Sequence, residues 1–380
     1  MSDRSTKRES GFSLLEMVIA MALGTIVLGA AVQLYSQGVA ATWTVTQRAE
    51  MQQDFRAASN LLTRDLSLAG AGLGQGAHIQ LPTSATLPVY GCDQTTLCHI
   101  NGAAATYPVQ GTTPYLYGLL PGYDDGPTLL ATQGATDVVT VVYADSTFYL
   151  DCYQATTTNA TTVTFTPIVP TPPATTSANC TSPNGNAGAQ NVNDSVFGLT
   201  AGDLVLFTFG TTQVVAEVTA PATATTATFA SGDVLRMNQA NTSSKSLASI
   251  AAGTTGYGTR LLVITYYIDN TISPPRLMRQ ISGHSPIPVA DNLVYMKFSY
   301  DLYNDATNTP AVSQPDPGSG DAADTASNGL LPNQITKINI LHMAMDSTLK
   351  GAKGGFQGLD LETSVSARDL TYNNNYPIGP

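Results

Sequence analysis

The chain has 380 residues, of which 43% are hydrophobic and 11% charged, so it can bury a sizeable core and is not a disordered polymer. Sixteen Lys and Arg against 27 Asp and Glu give a net charge of -11, and no basic run follows the first ten residues, which argues against a dedicated nucleic-acid binder. Thr, Ala and Ser crowd the middle of the chain, which favours short strands and turns over an all-helical fold.

The N-terminal segment combines a polar leader, residues 1–11, with an apolar run at residues 12–35. A helix of that length covers about 36 Å, enough to cross a hydrocarbon core. Arg4, Lys7 and Arg8 precede the run. Basic residues on that side predict a cytoplasmic leader, with the bulk of the chain periplasmic or extracellular.

Glu16 is the only charge between Phe12 and Gln47. A secretory signal has a shorter apolar run, and a plain anchor gives no reason for a carboxylate that costs about 2.5–3.5 kcal/mol to insert. If the chain were cut between Gly11 and Phe12, the new amino group would lie one helical turn from Glu16. The two charges could then pair, within one chain or between neighbours.

The run Gly11, Phe12, Ser13, Leu14, Leu15, Glu16, followed by an apolar helix, resembles the class III signal of type IV pilins and type II secretion pseudopilins. The resemblance implies that a prepilin peptidase cuts after Gly11 and methylates Phe12. Glu16 would then be the fifth residue of the mature chain and its assembly glutamate. The helix departs from the family pattern because it contains no proline, so Gly24, Gly29 and Gly38 are its obvious weak points.

The helix is expected to continue to residue 69, because apolar residues recur at helical spacing beyond the membrane. This stripe predicts packing on a sheet, and consists of Met51, Phe55, Ala58, Leu62 and Leu66. Val39 and Trp43 are candidates for a partner-helix surface. The following segment at residues 70–76, GAGLGQG, is interpreted as a linker.

The rest of the chain, residues 70–380, is expected to form an exported β-rich domain. Runs rich in Val, Ile, Thr, Phe and Tyr predict strands, without alternating helices. The runs are DVVTVVYA, FYLDCY, DLVLFTFG, QVVAEVTA, RLLVITYYID, NLVYMKFSY, QITKINILHMAM and LETSVSARDLTY. The expected fold class is therefore α+β, a long N-terminal helix packed on a mostly antiparallel sheet, with long loops at 154–178 and 301–328. Edge strands are the alternative to a loop at 154–178 and also at 219–232.

The order of these segments resembles the large minor pilins of the PilW type. RDLSLAG at 64–70, GDLVLF at 202–207 and NLVYMKFSY at 292–300 are among the stretches that carry the resemblance. It implies a non-enzymatic subunit at or near the pilus tip that helps to initiate assembly. Its partners would be the prepilin peptidase, other minor and major pilins and the inner membrane, with no nucleic acid. A type II secretion pseudopilin, a pilus-borne adhesin and an anchored exported enzyme are the alternatives.

Four cysteines, Cys92, Cys98, Cys152 and Cys180, lie on the expected exported side, where disulfides persist. Three connectivities are open, and sequence proximity favours Cys92 with Cys98 and Cys152 with Cys180. A zinc site built on the first pair and His99 is disfavoured, because no second short-spaced pair exists.

An acidic stretch lies between two expected strands, and it is interpreted first as a solvated loop. Its carboxylates are also weak candidates for calcium, the one cofactor considered, although no EF-hand register is present. The candidates are Asp301, Asp305, Asp316, Asp321 and Asp324. No H-E-x-x-H motif occurs, and the nearest match to a nucleophile elbow, at His284 and Ser285, lacks the closing glycine, so no enzyme is expected.

Overall fold

The computed structural model describes residues 12–74, 78–83, 86–148, 150–168, 191–220, 222–239, 245–304, 309–317, 330–347, 358–367 and 369–370. The chain forms two compact units. The first holds the residues up to Gln53 and the segment Ser347–Gln357, and the second holds Asp54–Asp346 and the residues from Gly358 onward.

One continuous helix, α1, runs from Leu14 to Ser67, a length of 54 residues. It starts two residues after the expected residue 12 and ends two residues before the expected 69. No proline interrupts it, and Gly24, Gly29 and Gly38 lie inside regular helix. The helix gives way to a turn at residues 68–72, where Gly70 and Gly72 take positive φ angles of 81° and 74°. Glycine adopts this left-handed conformation without a Cβ penalty, and it is a common way to end a helix.

Nineteen strands follow the helix in the described part of the chain. The first nine are short or of medium length: β1 (His78–Gln80), β2 (Val89–Tyr90), β3 (Ala105–Thr106), β4 (Val109–Gln110), β5 (Thr113–Tyr117), β6 (Leu119–Gly122), β7 (Val138–Ala144), β8 (Tyr153–Asn159) and β9 (Thr162–Pro167). The other ten include the longest: β10 (Leu204–Phe209), β11 (Thr212–Glu217), β12 (Thr226–Thr228), β13 (Thr255–Asp269), β14 (Arg276–Ile281), β15 (Ile287–Asp291), β16 (Leu293–Asn304), β17 (Thr309–Gln314), β18 (Ile335–Asp346) and β19 (Gly358–Ser366).

Strand β13 organises a ten-stranded sheet. Its first half pairs with β10 and β8, and its second half pairs with β14 and β7. The sheet is extended by β11 beside β10, by β9 and β12 beside β8, by β6 beside β7 and by β15 beside β14. Buried side chains cover both faces of it in two hydrophobic clusters.

A four-stranded sheet in the order β17-β16-β18-β19 lies late in the chain, and two small sheets, β1-β5-β4 and β2-β3, lie early in it. The pairings within all four sheets are antiparallel. One long N-terminal apolar helix with an antiparallel β-rich domain confirms the expected α+β class.

Several strand predictions are confirmed. The runs expected at DVVTVVYA, RLLVITYYID and QITKINILHMAM form β7, β13 and β18. The runs DLVLFTFG and QVVAEVTA form β10 and β11, which make a hairpin: Phe209 pairs with Thr212 across a turn in which Gly210 has a φ of 60°. FYLDCY was expected as one strand, but residues 150–152 form a 3-10 turn and β8 begins only at Tyr153.

The stretch at 154–178, expected as a long loop or as edge strands, begins with β8 and β9, which form a hairpin inside the ten-stranded sheet, so a loop is wrong there. Residues 169–178 lie outside the described residues. Threonine is β-branched and suits a pleated surface, so a Thr-rich stretch of low charge supports strands as well as loops. Thr157 is fully buried, and the hydroxyls of Thr158 and Thr164 bond across the hairpin at 2.8 Å.

The loop expected at 301–328 is also corrected in part. Strand β16 continues to Asn304, and β17 returns beside it at 309–314. Residues 305–308 and 318–328 lie outside the described residues. Backbone pairing on β16 therefore orders the start of a segment that its turn-forming residues had marked as irregular.

The glycine-rich segment after the helix was interpreted as a linker, but its first part docks on β7. The Gly70 amide donates to the Val142 carbonyl at 2.9 Å, and the Ala144 amide donates to the Ala71 carbonyl at 2.8 Å. A Cβ built on Gly72 would lie 2.5 Å from the Ala144 Cβ. The glycine is needed because two backbones approach closely at this point.

Candidate processing and assembly site

The start of α1 forms a capping box around Glu16. The Ser13 hydroxyl accepts a hydrogen bond from the Leu15 amide at 3.3 Å, and the Glu16 carboxylate accepts one from the Ser13 amide at 3.0 Å. These reciprocal bonds satisfy amides that have no partner inside the helix. The carboxylate also lies in the first helical turn, where the helix dipole favours negative charge.

The expected cleavage site adjoins this box. Phe12 is described and is 90% exposed, whereas Gly11 lies outside the described residues. The structure therefore places Phe12 four residues before Glu16 at the entry of the helix, and it does not test the cut itself.

The first half of α1 has the properties of a membrane span. An 18-residue window reaches a mean hydropathy of 2.2, and none of that window is buried. Two of its hydroxyl groups bond inside the helix: Thr25 donates to the Ala22 carbonyl and Ser36 to the Gln33 carbonyl, at 2.8 and 2.9 Å. This internal bonding suits a segment that has no water around it.

An apolar depression lies on one face of α1 around Gly38. It has a volume of about 560 Å³ and is lined by Tyr35, Gly38, Val39, Thr42, Trp43 and Thr46. A Cβ on Gly38 would meet nothing within 4 Å, and Trp43 is 61% exposed. A glycine between larger apolar residues leaves room for the close approach of another helix. The partner-helix surface expected at Val39 and Trp43 stays a prediction.

The second half of the helix buries the expected stripe. Met51, Phe55, Ala58, Leu62 and Leu66 are each at most 8% exposed, which confirms that these residues face a core.

Asp65, which no sequence pattern singled out, lies beside this stripe and is fully buried. Its carboxylate accepts hydrogen bonds from the Tyr266 hydroxyl at 2.7 Å and from the Arg279 guanidinium at 2.9 Å. Burial and the neighbouring Asp65 charge hold the pKa of Tyr266 well above its usual value. The adjacent Leu66 was a usable signal, because a charged residue next to a stripe of core positions needs a buried partner.

The three cysteines that the structure describes are oxidised. Cys92 and Cys98 form the expected disulfide. Cys152 is also disulfide-bonded, and its expected partner Cys180 lies outside the described residues. Asp93 lies inside the loop that the first disulfide closes, and its carboxylate bonds at 2.9 Å to His99, the residue after Cys98.

A buried carboxyl pair, Glu217 and Asp233, adjoins that loop. Glu217 is fully buried and accepts a hydrogen bond from the Gln94 side chain at 2.5 Å and one from the Leu235 amide at 2.9 Å. Burial raises the pKa of Glu217 to about 8, with further contributions from the hydrogen bond and charge of Asp233. Burial also raises the pKa of Asp233. The pair therefore favours a shared proton at neutral pH.

The acidic calcium candidates do not converge among the described residues. Asp301 lies at the end of β16, where it accepts hydrogen bonds from the Ser313 amide at 2.9 Å and from the Asn339 side chain at 3.1 Å. Asp316 follows β17 and is half-buried. Asp305, Asp321 and Asp324 lie outside the described residues, so calcium binding stays a prediction.

Comparison with known families identifies the N-terminus. Residues 6–32 match the family described as the prokaryotic N-terminal methylation motif. Comparison with curated proteins and with solved structures gave no match. The matched residues include Gly11, Phe12 and Glu16 and extend into the exposed part of α1. The chain therefore carries a prepilin-type N-terminal methylation motif, which supports a type IV pilin-like protein or pseudopilin with a structural role.

Proposed function

We propose that the chain is a minor pilin of a type IV pilus. It is inserted in the inner membrane, cut after Gly11 by a prepilin peptidase, methylated at Phe12 and assembled through α1. The observation that carries the proposal is the Glu16 carboxylate at the head of a 54-residue helix whose apolar first half is unburied.

Cleavage changes the partners of Glu16. In the uncut chain its carboxylate caps the helix by accepting from the Ser13 amide. A cut before Phe12 leaves a charged amino group on Phe12, one residue before Ser13. This amino group competes with the Ser13 amide for the Glu16 carboxylate of its own chain or of a neighbouring subunit. Inside a dry bundle of helices an unpaired charge is costly, so the pairing favours a filament in which amines and carboxylates match.

The same helix supplies the packing surface for a filament. Exposed apolar side chains along residues 12–35 suit lipid before assembly and other pilin helices after it. The depression around Gly38 continues this surface toward the domain end of the helix. Because both environments are apolar, the transfer of these side chains from membrane to filament changes their solvation free energy little.

We place the subunit at or near the pilus tip, where it helps to initiate assembly. The nineteen strands of the described residues extend from His78 to Ser366, so the β-rich part of the chain is large. A β-rich part of this size is difficult to pack in every subunit along the shaft of a filament, whereas a single copy at the end meets no such restriction. The type II secretion pseudopilin is the alternative, because it shares the N-terminal motif and a β-rich head. A pilus-borne adhesin would add ligand binding to the same placement.

The Glu16→Ala variant tests the proposal. We expect it to reach the membrane normally and to be depleted at least about tenfold from sheared filaments, because an uncompensated amine opposes packing in the dry core. Glu50→Ala is the matched control, since Glu50 lies in the same helix, is exposed and falls outside the methylation motif.

Immunogold labelling of the same filaments tests placement. Gold at filament ends supports the tip proposal, and dense labelling along shafts contradicts it.

Wild-type incorporation of the Glu16→Ala protein would contradict the pairing role of Glu16. Loss of secretion with intact pili in a strain that lacks the chain would favour the pseudopilin alternative.

A further inference from the structure

The outer face of the four-stranded sheet carries a histidine and two carboxylates that converge on one point. They are His342 on β18 with Asp360 and Glu362 on β19. Their ligand atoms all lie within 4.8 Å of one another, and this is the one such group of three in the part of the chain that the structure describes. All three side chains are exposed, with side-chain fractions of 48%, 52% and 71%.

A β-bulge creates the cluster. Between the pairs Ile340–Thr363 and Met343–Leu361, two residues of β18 oppose one residue of β19. Leu341 and His342 are consequently both exposed, although neighbours on a regular strand alternate between faces. The extra residue turns His342 to the face that carries Asp360 and Glu362, which are two positions apart on their strand.

The spacing of the ligand atoms fits one metal ion. His342 Nδ1 lies 3.0 Å from Asp360 Oδ2 and 3.9 Å from Glu362 Oε1. Two ligand atoms about 2.1 Å from a shared ion, at angles of about 90–110°, are about 3.0–3.4 Å apart. The three ligand atoms all lie within 4.8 Å of one another, so rotations of the exposed side chains that move the carboxylate oxygens by about one ångström bring them to these spacings.

The neighbouring strand limits the motion of the imidazole. The Tyr295 ring on β16 flanks His342, with ring centroids 6.3 Å apart. The Tyr295 hydroxyl is itself fixed, because it donates to the Gln133 carbonyl at 2.9 Å. A ligand that is held in place in advance loses less conformational entropy on binding.

We propose that His342, Asp360 and Glu362 bind a divalent transition-metal ion of the zinc class. The imidazole nitrogen selects such ions over calcium and magnesium, which prefer all-oxygen ligands. The two carboxylates supply charge that neutralises the ion. Three protein ligands leave at least one coordination position for water or for a group from outside the chain. The site does not depend on entry of the chain into a filament.

The test is calorimetric titration of Zn²⁺ into the full chain in detergent micelles, without a histidine tag and with its disulfides oxidised. We expect one binding event, an affinity loss of at least about tenfold in each of the His342→Ala, Asp360→Asn and Glu362→Gln variants, and no displacement by equimolar Ca²⁺. His284→Ala is the matched control, because His284 pairs with the single carboxylate of Asp203 at 2.9 Å, and its affinity should match the wild type within about twofold.

Electron paramagnetic resonance of bound Cu²⁺ in the wild-type chain adds a measurement that needs no variant. One imidazole nitrogen in the spectrum supports the site. No zinc binding by the wild type, wild-type affinity in any of the three site variants, displacement by equimolar Ca²⁺, or a copper spectrum without nitrogen would each overturn the proposal.

Discussion

Asp65 is the residue that ties the helix to the sheet. It is fully buried on α1, and its carboxylate accepts hydrogen bonds from Tyr266 of β13 and Arg279 of β14. These two residues are paired with each other in the sheet. Arg279 is itself buried, with 8% of its surface exposed. A buried cation that loses its counter-charge is left uncompensated, so this pair is a point where a small change has a large effect.

Asp65→Asn is therefore expected to lower the free energy of unfolding by about 3–5 kcal/mol, measured by denaturant titration of the full chain in detergent. Arg64→Ala is the control, because Arg64 pairs with the same carboxylate at 3.1 Å but is 62% exposed, and it should cost less than about 1 kcal/mol. Equal stabilities of the two variants would contradict the role of the buried pair.

Glu217 gives stability a dependence on pH. Its pKa is raised from 4.5 to about 8, so the folded state holds a proton that the unfolded state releases. The contribution of this proton to the free energy of unfolding is fully present below pH 4.5 and is lost as the pH rises toward 8. Titration of Asp233 acts in the same direction, since its pKa is raised as well.

We expect Glu217→Gln to remove this loss, because the amide keeps a donor for Asp233 and an acceptor for Gln94 without titrating. The measurement is the free energy of unfolding at pH 5 and at pH 8.5 in both proteins. The wild type should lose more stability between the two pH values than the variant. An identical change in the two proteins would show that Glu217 is ionised at both pH values.

At the scale of elements, the junction between α1 and β7 depends on close backbone contact. Gly70 and Ala71 bond to Val142 and Ala144, and Gly72 leaves no room for a side chain. The segment therefore sets how the last turn of the helix meets the sheet.

Gly72→Ala should destabilise the domain by about 2–3 kcal/mol, because it adds a clash with Ala144 to the strain of a positive φ. Gly74→Ala is a matched control: Gly74 also has a positive φ, of 82°, but its Cβ would meet nothing within 4 Å. That variant should cost about 1 kcal/mol. Thermal unfolding that ranks the two variants equally would show that strain alone, and not the contact with β7, fixes Gly72.

Elements with one strong local signal were predictable from sequence. The α1 stripe and the runs that form β7 and β13 show uninterrupted periodicity or apolar content, and the structure confirms them. The β8–β9 stretch stayed undecided between loop and strand, and β17 was missed, because their Thr, Ala and Pro content suits both and only pairing with neighbouring strands decides between the two.

The sites differ in the same way. The capping box around Glu16 is local, so its residues were readable from consecutive letters. The partners of Asp65 and Glu217 are more than a hundred residues away along the chain, at Arg279 and Gln94. Long-range pairs of this kind depend on topology, which composition and periodicity do not specify.

At the scale of the whole molecule, two regions of the chain differ in composition and properties. The exposed apolar part of α1 carries the methylation motif and suits membrane and filament. The acidic remainder, with oxidised cysteines, suits an exported domain. Under the proposed function, one proteolytic cut converts a membrane protein into a filament subunit without refolding the β-rich domain.

The most direct test is the intact mass and N-terminal sequence of the protein, isolated from membranes and sheared filaments of its native host, with and without the prepilin peptidase. The proposed function predicts a chain that starts at methylated Phe12 only when the peptidase is present. A chain that keeps Met1 in both strains, or that starts beyond Tyr35, would contradict it.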